Sequence, residues 1–136
     1  MDMATFSAVG HRHRVLLVED YDDTREALAS ELRFAGHDVQ TAWGGEDALR
    51  LLREGFRPCV ALIDLRMPGM DGWALWERLR TDPDPSIAGI AVVLVSGDPE
   101  HQARVRASLI REFLAKPVQG DALNAAVEQH CSARLH

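Results

Sequence analysis

Acidic, hydroxyl and ammonium side chains follow four of five short apolar runs in this 136-residue chain. Glu19 and Asp20 come directly after the first run, and Asp64 follows the third. Ser96 and Lys116 follow the fourth and fifth. Carboxylate oxygens suit Mg²⁺ or Mn²⁺, and an aspartate beside such a cation can attack phosphorus and form an acyl phosphate. An ammonium and a hydroxyl would stabilise the phosphoryl oxygens, so these residue types suggest phosphoryl transfer.

The apolar runs that precede these residues have the composition of buried parallel strands. Periodicity predicts strands at 14–18, 37–41, 59–63, 90–95 and 112–115, and helices at 23–35, 46–53, 72–80, 100–108 and 120–131. This alternation implies right-handed βαβ crossovers and an α/β fold, a five-stranded parallel sheet with helices on both faces. Ligands of such sheets bind beyond the carboxyl ends of the strands, at the topological switch point.

The strand order decides whether the polar residues meet. With the order 2-1-3-4-5, Glu19, Asp20 and Asp64 converge on one crevice, and Ser96 and Lys116 lie on its other side. Three neighbouring carboxylates repel one another, so either some are protonated or a cation neutralises them. Each residue alone has an ordinary structural explanation, such as a turn or a helix cap. Their joint placement at successive strand ends favours a Mg²⁺ or Mn²⁺ site.

Four segments carry the polar strand ends: Val-Glu-Asp at 18–20, Ile-Asp-Leu-Arg-Met-Pro-Gly-Met-Asp-Gly at 63–72, Val-Ser-Gly at 95–97 and Phe-Leu-Ala-Lys-Pro at 113–117. Together these segments resemble the receiver domain of two-component response regulators. The resemblance covers about 14–131. It implies a flavodoxin-like fold with the strand order 2-1-3-4-5, and a phosphoacceptor switch that takes its phosphoryl group from a histidine kinase or a histidine phosphotransfer protein.

The resemblance also implies a role for each matching residue. Asp64 corresponds to the phosphoacceptor. The implied metal ligands are Asp64 itself, Asp20 directly, Glu19 largely through water, and the backbone carbonyl of Arg66. Ser96 corresponds to the switch hydroxyl, Lys116 to the lysine that pairs with the phosphoryl group, and Phe113 to the aromatic switch residue. The Lys116–Pro117 bond is expected to be cis.

The segment between Ser96 and Lys116 departs from the family pattern. It is a little shorter, and 107–111 stand where a Gly-Ala turn is common. We therefore expect the helix and loop before the fifth strand to be short or irregular, on a face that often carries the output surface.

The composition of the chain limits its possible partners and location. The net charge of −6 argues against direct nucleic-acid binding. No apolar stretch is long enough to span a bilayer, and residues 1–10 lack the charged start and long apolar run of a secretory signal, so we expect a cytoplasmic chain. Residues 1–12 are predicted to be a flexible lead-in and 13–133 one receiver domain. Cys59 and Cys131 are expected to be reduced thiols. We expect a monomer or weak dimer with an unknown downstream partner.

A second interpretation remains open. The chain could be a degenerate receiver or a flavodoxin-like module that acts by binding a protein or a cofactor without phosphorylation. The acidic loops disfavour a flavin phosphate, and the acid pair, acceptor and lysine of an active receiver are all present. An enzyme that acts on other substrates is not expected, because the chemistry is limited to phosphorylation of the chain itself and its slow reversal. Whether the domain stands alone or belongs to a larger protein stays undecided.

Overall fold

The computed structural model describes residues 13–107 and 112–135. Its five strands are all parallel and follow the order β2-β1-β3-β4-β5, which confirms the predicted sheet. The strands are β1 (Arg14–Val18), β2 (Asp38–Ala42), β3 (Val60–Asp64), β4 (Ala91–Ser96) and β5 (Phe113–Ala115). Strands β2, β3 and β4 lie one residue later than predicted, so Asp64 and Ser96 are the last residues of their strands.

Six helices surround the sheet in the described part of the chain. They are α1 (Asp22–Phe34), α2 (Gly45–Arg53), α3 (Gly72–Arg80), α4 (Pro85–Ala88), α5 (Pro99–Arg106) and α6 (Gly120–Leu135). The sequence analysis missed α4, a single turn that starts with Pro85 after the capping Asp84. Helix α5 is short, as expected, and ends at Arg106. Two of the predicted stretches lie outside the described residues: 1–12, predicted to be a flexible lead-in, and 108–111, within the segment predicted to be short or irregular.

The sheet buries an apolar layer on each of its faces. Successive residues of β1 alternate between the layers: Leu16 and Val18 belong to one cluster, and Val15 and Leu17 to the other. All four are at most 2% exposed. Full burial of such a side chain contributes about 1.5–3 kcal/mol, so the central strands fix the positions of the loops at both ends of the sheet.

Two tryptophans of α3 pack against the first of these clusters. Trp73 and Trp76 are both half-buried there. The guanidinium of Arg104, on α5, lies 4.0 Å from the Trp73 ring centroid, and that of Arg80 lies 5.0 Å from Trp76. The stacking on Trp73 joins α5 to α3 through a cation–π contact.

The two cysteines are paired, so the expectation of reduced thiols is wrong for this structure. Cys59 lies just before β3, and Cys131 lies on α6, which packs over the second apolar cluster. The two form a disulfide across a Cα–Cα distance of 5.2 Å. Their sequence separation of 72 hid this proximity, which the packing of α6 on the sheet creates.

No helix in the described ranges is both long enough and apolar enough to cross a membrane.

Candidate functional site

Three carboxylates meet at the carboxyl end of the sheet. Glu19 and Asp20 follow β1, Asp64 ends β3, and the pairing of Val18 with Ile63 brings these strand ends side by side. One carboxylate oxygen from each of the three lies within 4.8 Å of the others. Glu19 is 2% and Asp64 4% exposed. All three line a pocket of about 670 Å³ that also contains Ser96 and Lys116.

A close backbone approach holds the Asp64 loop in place. The amide of Gly72, at the start of α3, donates a hydrogen bond of 3.0 Å to the Leu65 carbonyl oxygen. A Cβ at Gly72 would lie 2.6 Å from both the Asp64 carbonyl oxygen and the Leu65 Cα. Neither atom can move without shifting β3, so this position requires glycine. The side chain of Asp71 caps the helix by accepting a hydrogen bond from the Ala74 amide.

Lys116 reaches into the pocket from the end of β5. Its Nζ lies 2.9 Å from Glu19 Oε1 and 3.5 Å from Asp64 Oδ2. Its backbone amide donates a hydrogen bond to the Ser96 carbonyl oxygen, which fixes the loop after β5 beside β4. The Lys116–Pro117 bond is cis, as the resemblance implied.

The pocket has more negative charge than its lysine balances. Burial and then the Glu19 charge raise the pKa of Asp64 to about 7, against the opposing effect of Lys116. Burial by itself would lower the pKa of Lys116, but the hydrogen bond to Glu19 and the charge of Asp64 outweigh it, so the net shift is upward. An all-oxygen donor set with uncompensated charge fits Mg²⁺ or Mn²⁺.

The hydroxyl of Ser96 is already hydrogen-bonded on the side of α5. Ser96 Oγ lies 2.7 Å from His101 Nδ1 and accepts a hydrogen bond of 3.0 Å from the Asp98 amide. Ser96 is 2% exposed, so these contacts form in a nearly dry environment. A hydrogen bond to a phosphoryl group would therefore replace an existing partner rather than water.

An ion pair joins the loops that follow β3 and β4. Arg66 Nη2 lies 2.6 Å from Asp98 Oδ2, while the Arg66 amide donates a hydrogen bond of 3.3 Å to Asp64 Oδ1. The Arg66 side chain is 75% exposed, so the pair contributes little to stability. It connects the residue next to Asp64 with the loop that holds Ser96.

Phe113, the predicted switch aromatic, is half-buried at the start of β5. It pairs with Leu94 of β4 and packs against the same apolar cluster as Trp73. Its neighbour Glu112 lies 3.1 Å from His130 Nε2 on α6. The contact with His130 therefore fixes the Glu112 side chain against α6. The Arg104 side chain is fixed separately, by its stacking on Trp73.

The sequence analysis missed His101 and Asp98 as site residues. A signal was present: Asp98-Pro99 is a typical helix start, and the Asp98 side chain accepts a hydrogen bond from the Glu100 amide. A helix that starts there places position 101 within its first turn, beside the end of β4. Six of the residues named in the sequence analysis line the pocket: Glu19, Asp20, Asp64, Arg66, Ser96 and Lys116.

Comparisons with known proteins point to one family. The sequence model of the response regulator receiver domain matches residues 15–128. The transcriptional regulatory protein AfsQ1 of Streptomyces coelicolor is 39% identical over 114 residues, which cover 83% of this chain and 48% of AfsQ1. The chain thus spans about half the length of that relative. The protein PilH of Pseudomonas aeruginosa is 29% identical over 110 residues, which cover 81% of this chain and 90% of PilH.

A solved structure shows the same fold. A putative response regulator from Chloroflexus aurantiacus superposes with a TM-score of 0.77 at 28% sequence identity, covering 89% of this chain and 98% of that one.

Proposed function

The chain belongs to the family of response regulator receiver domains, which are signalling domains rather than ordinary enzymes, and we propose that it is a phosphoacceptor switch. In this proposal a phosphoryl group is transferred to Asp64 beside a divalent cation. The observation that carries it is the convergence of three carboxylates at the end of the sheet, with Lys116 within 3.5 Å of Asp64. A degenerate receiver has less support, because the acceptor, the acid pair and the lysine all meet in one pocket.

The residues that would hold Mg²⁺, or Mn²⁺ in its place, are Glu19, Asp20, Asp64 and the backbone carbonyl of Arg66. Such a cation supplies charge compensation for the incoming phosphoryl oxygens. Ionised Asp64 is the nucleophile, so a cation that favours its ionised form also makes it competent to react. Asp20 is only half-buried and is well placed for direct ligation from the open side of the pocket.

The donor is a phosphohistidine of a histidine kinase or a histidine phosphotransfer protein. A carboxylate oxygen of Asp64 attacks phosphorus, the P–N bond breaks, and the imidazole leaves with the electron pair. Lys116 then shifts from Glu19 and Asp64 toward the phosphoryl oxygens, where an ammonium stabilises negative charge. Hydrolysis returns the carboxylate and inorganic phosphate.

The signal would leave the site through β4 and β5. Ser96 exchanges its bond to His101 for one to a phosphoryl oxygen, which loosens the contact between β4 and α5. Phe113, half-buried on the neighbouring strand, repacks into the space made available. The two arrangements form a two-state element whose populations phosphorylation shifts. The surface formed by α5, β5 and α6 then presents a changed face to a downstream protein.

The remaining features of the proposal concern the setting of the switch. It acts in the cytoplasm as a monomer or weak dimer, without direct contact to nucleic acid. Its acidic character supports this, since the net charge is −6. The relative AfsQ1 is called a transcriptional regulatory protein, so control of transcription through other segments or partners is one output this family offers.

Labelling with acetyl phosphate tests the acceptor. The wild type should gain one phosphoryl group by intact mass, and only with Mg²⁺ present. Asp64→Asn should gain none, because an amide is a poor nucleophile. Asp47→Asn is the matched control, since Asp47 is also a buried aspartate but bonds to Arg50 away from the pocket. Equal labelling of Asp64→Asn would exclude Asp64 as acceptor.

Thermal melting tests the cation separately. Millimolar Mg²⁺ should raise the melting temperature of the wild type, because a ligand that binds only the folded state stabilises it. At ten times the dissociation constant, the gain is about 1.4 kcal/mol. Asp20→Asn should lose most of this shift while Asp22→Asn, with its exposed carboxylate on α1, keeps it. A shift of the same size in Asp20→Asn would place the cation elsewhere.

A further inference from the structure

The amino end of the sheet, opposite the acidic pocket, carries a second group of possible ligands. His37, His13 and Cys59 directly precede β2, β1 and β3, which are neighbours in the sheet. Helix α6 adds Glu128 and Cys131, which share one helix face because they are three residues apart. Five residues with nitrogen, sulfur or oxygen donors therefore come from four elements to one place.

The geometry of three of these residues is that of a metal site. One ligand atom from each of His13, Cys59 and Cys131 lies within 4.8 Å of the others. His13 is 8% and Cys131 1% exposed, whereas Cys59 is half-buried, so two of the three residues are shielded from solvent. In this structure the two sulfurs are joined as a disulfide, and the Cα atoms of the two cysteines are 5.2 Å apart. At that Cα separation two reduced thiols can ligate the same ion.

A buried histidine with one unpaired ring nitrogen lies beside this group. The His37 ring centroid is 5.4 Å from that of His13, and the side chain is only 4% exposed. Its Nε2 has no hydrogen-bond partner, and the nearest acidic oxygen, Glu128 Oε2, is 4.0 Å away. Buried polar atoms are nearly always satisfied, so this nitrogen is available to a ligand. His37 lies outside the 4.8 Å group in this structure, so its ring must turn toward the sulfurs to complete a metal site.

We propose that Cys59, Cys131 and His13 bind one Zn²⁺ ion when the cysteines are reduced, with His37 as the fourth ligand. Two thiolates and two imidazoles form a common tetrahedral zinc set. The two thiolates balance the charge of the ion, so the complete site is neutral and suits burial. Glu128 Oε1, 3.2 Å from His13 Nε2, positions that ring as carboxylates do for zinc-bound histidines and leaves its other nitrogen for the metal.

The disulfide and the zinc site are alternative states of the same two sulfurs. Zinc binding displaces two thiol protons and moves no electrons. Formation of the disulfide removes two protons and two electrons, which a low-molecular-weight disulfide such as oxidised glutathione accepts on becoming two thiols. Oxidation therefore removes both thiolate ligands, and the occupancy of this site depends on the redox state of the chain.

Cobalt substitution tests the proposal on the full chain. Protein reduced under anaerobic conditions should bind one Co²⁺ and show thiolate-to-cobalt charge-transfer bands with the intense d–d bands of a tetrahedral site. Added Zn²⁺ should displace the Co²⁺ and abolish both. After oxidation by oxidised glutathione, confirmed by intact mass, no cobalt bands should form. Reduced protein without thiolate–cobalt bands, or oxidised protein that still shows them, would overturn the proposal.

Variants assign the ligands. Cys59→Ser should abolish the charge-transfer bands or cut affinity for Zn²⁺ at least 100-fold, with the fold checked by circular dichroism because Cys59 is only half-buried. Glu128→Gln should weaken binding about 10- to 100-fold, as outer-shell changes do. His11→Ala controls for chelation by the His11-x-His13 sequence and should bind normally. Unchanged affinity in Cys59→Ser, or loss in His11→Ala, would contradict the assignment. Asp64 labelling is independent of all these outcomes.

Discussion

Each end of the sheet brings together a group of potential metal ligands, but the ligand atoms differ between the two ends. At the carboxyl end, Glu19, Asp20 and Asp64 bring only oxygen, and their charges exceed what Lys116 balances. At the amino end, the donors of His13, Cys59 and Cys131 are nitrogen and sulfur, and in this structure the sulfurs satisfy each other. One end is open and holds excess charge, while the other is closed and held covalently.

The difference indicates that the carboxyl end of the sheet carries the reactive groups, whereas the amino end stabilises the fold. Loops at the carboxyl end must exchange partners during the proposed reaction, as Ser96 would do with His101. The amino end fixes α6 to β3 and leaves the other end free to change. If reactivity and stability are separated in this way, changes at one end of the sheet should leave the property carried by the other end intact.

Reduction of the disulfide should destabilise the chain without affecting phosphorylation. A cross-link across 72 residues restricts the unfolded chain, and its loss typically costs about 2–4 kcal/mol. Urea unfolding with a reductant and a chelator measures the change, and the double variant Cys59→Ser with Cys131→Ser should not respond to the reductant. Acetyl phosphate labelling should proceed at the same rate in both redox states. A reduced protein that is equally stable, or that cannot be labelled, would contradict the separation of stability at the amino end from reactivity at the carboxyl end.

Gly72→Ala should damage the carboxyl end specifically. Its new Cβ would meet backbone atoms of Asp64 and Leu65 at 2.6 Å, and overpacking of this kind costs about 3 kcal/mol. The loop would have to shift, so labelling of Asp64 should slow as well. Gly44→Ala is the matched control, because nothing lies within 4 Å of its added Cβ. Similar urea midpoints for the two variants would show that the close approach does not constrain the site.

The chain without metal should become less stable as the pH rises from about 4 to about 7. Folding raises the pKa of Asp64 from 3.8 to about 7, chiefly through burial and the Glu19 charge. The folded state therefore holds the proton more tightly, and the stabilisation is complete below pH 4 and lost as the pH rises through 7. Between pH 5 and 7 the loss should be about 2 kcal/mol.

Urea unfolding at several pH values in chelator measures this change. Asp64→Asn cannot titrate and should lack the corresponding slope. Saturating Mg²⁺ should suppress the slope in the wild type by favouring the ionised carboxylate. Parallel profiles for the wild type and Asp64→Asn would mean that burial does not raise the pKa of this group.

His101→Ala should produce a smaller effect and should favour the phosphorylated arrangement. The variant frees Ser96 Oγ from a hydrogen bond of 2.7 Å, a contact worth about 1 kcal/mol. Affinity for the phosphoryl mimic beryllofluoride should rise about fivefold, measured by titration in Mg²⁺. Gln102→Ala, at the neighbouring position of α5, should leave affinity unchanged. Weaker binding in His101→Ala would show that the histidine supports the phosphorylated state instead.

Much of the fold followed from the sequence because its signals are local. Apolar runs of strand length alternate with amphipathic segments, and these patterns placed all five strands within one residue of their observed limits. The strand order came from the resemblance to receiver domains, which supplied information on pairing that periodicity does not contain. Helix α4 was missed because a turn of four residues is too short to show a helical period.

In the candidate site too, residues with a local sequence signal could be predicted, and those that depend on tertiary packing could not. Glu19, Asp64 and Lys116 could be predicted because each directly follows an apolar strand. His101 could not, because its role depends on how α5 lies over β4, which is a matter of tertiary packing. The prediction that Cys59 and Cys131 are reduced thiols was wrong for the same reason, since the position of α6 on the sheet brings them together.

Trapping of the acyl phosphate tests the central claim most directly. After labelling with acetyl phosphate and Mg²⁺, borohydride reduces an aspartyl phosphate to homoserine, which peptide mass spectrometry locates in the sequence. The account predicts homoserine at position 64 of the wild type, and none there when Mg²⁺ is omitted. Homoserine at position 20 or elsewhere, with Asp64 intact, would contradict the claim that Asp64 is the phosphoacceptor.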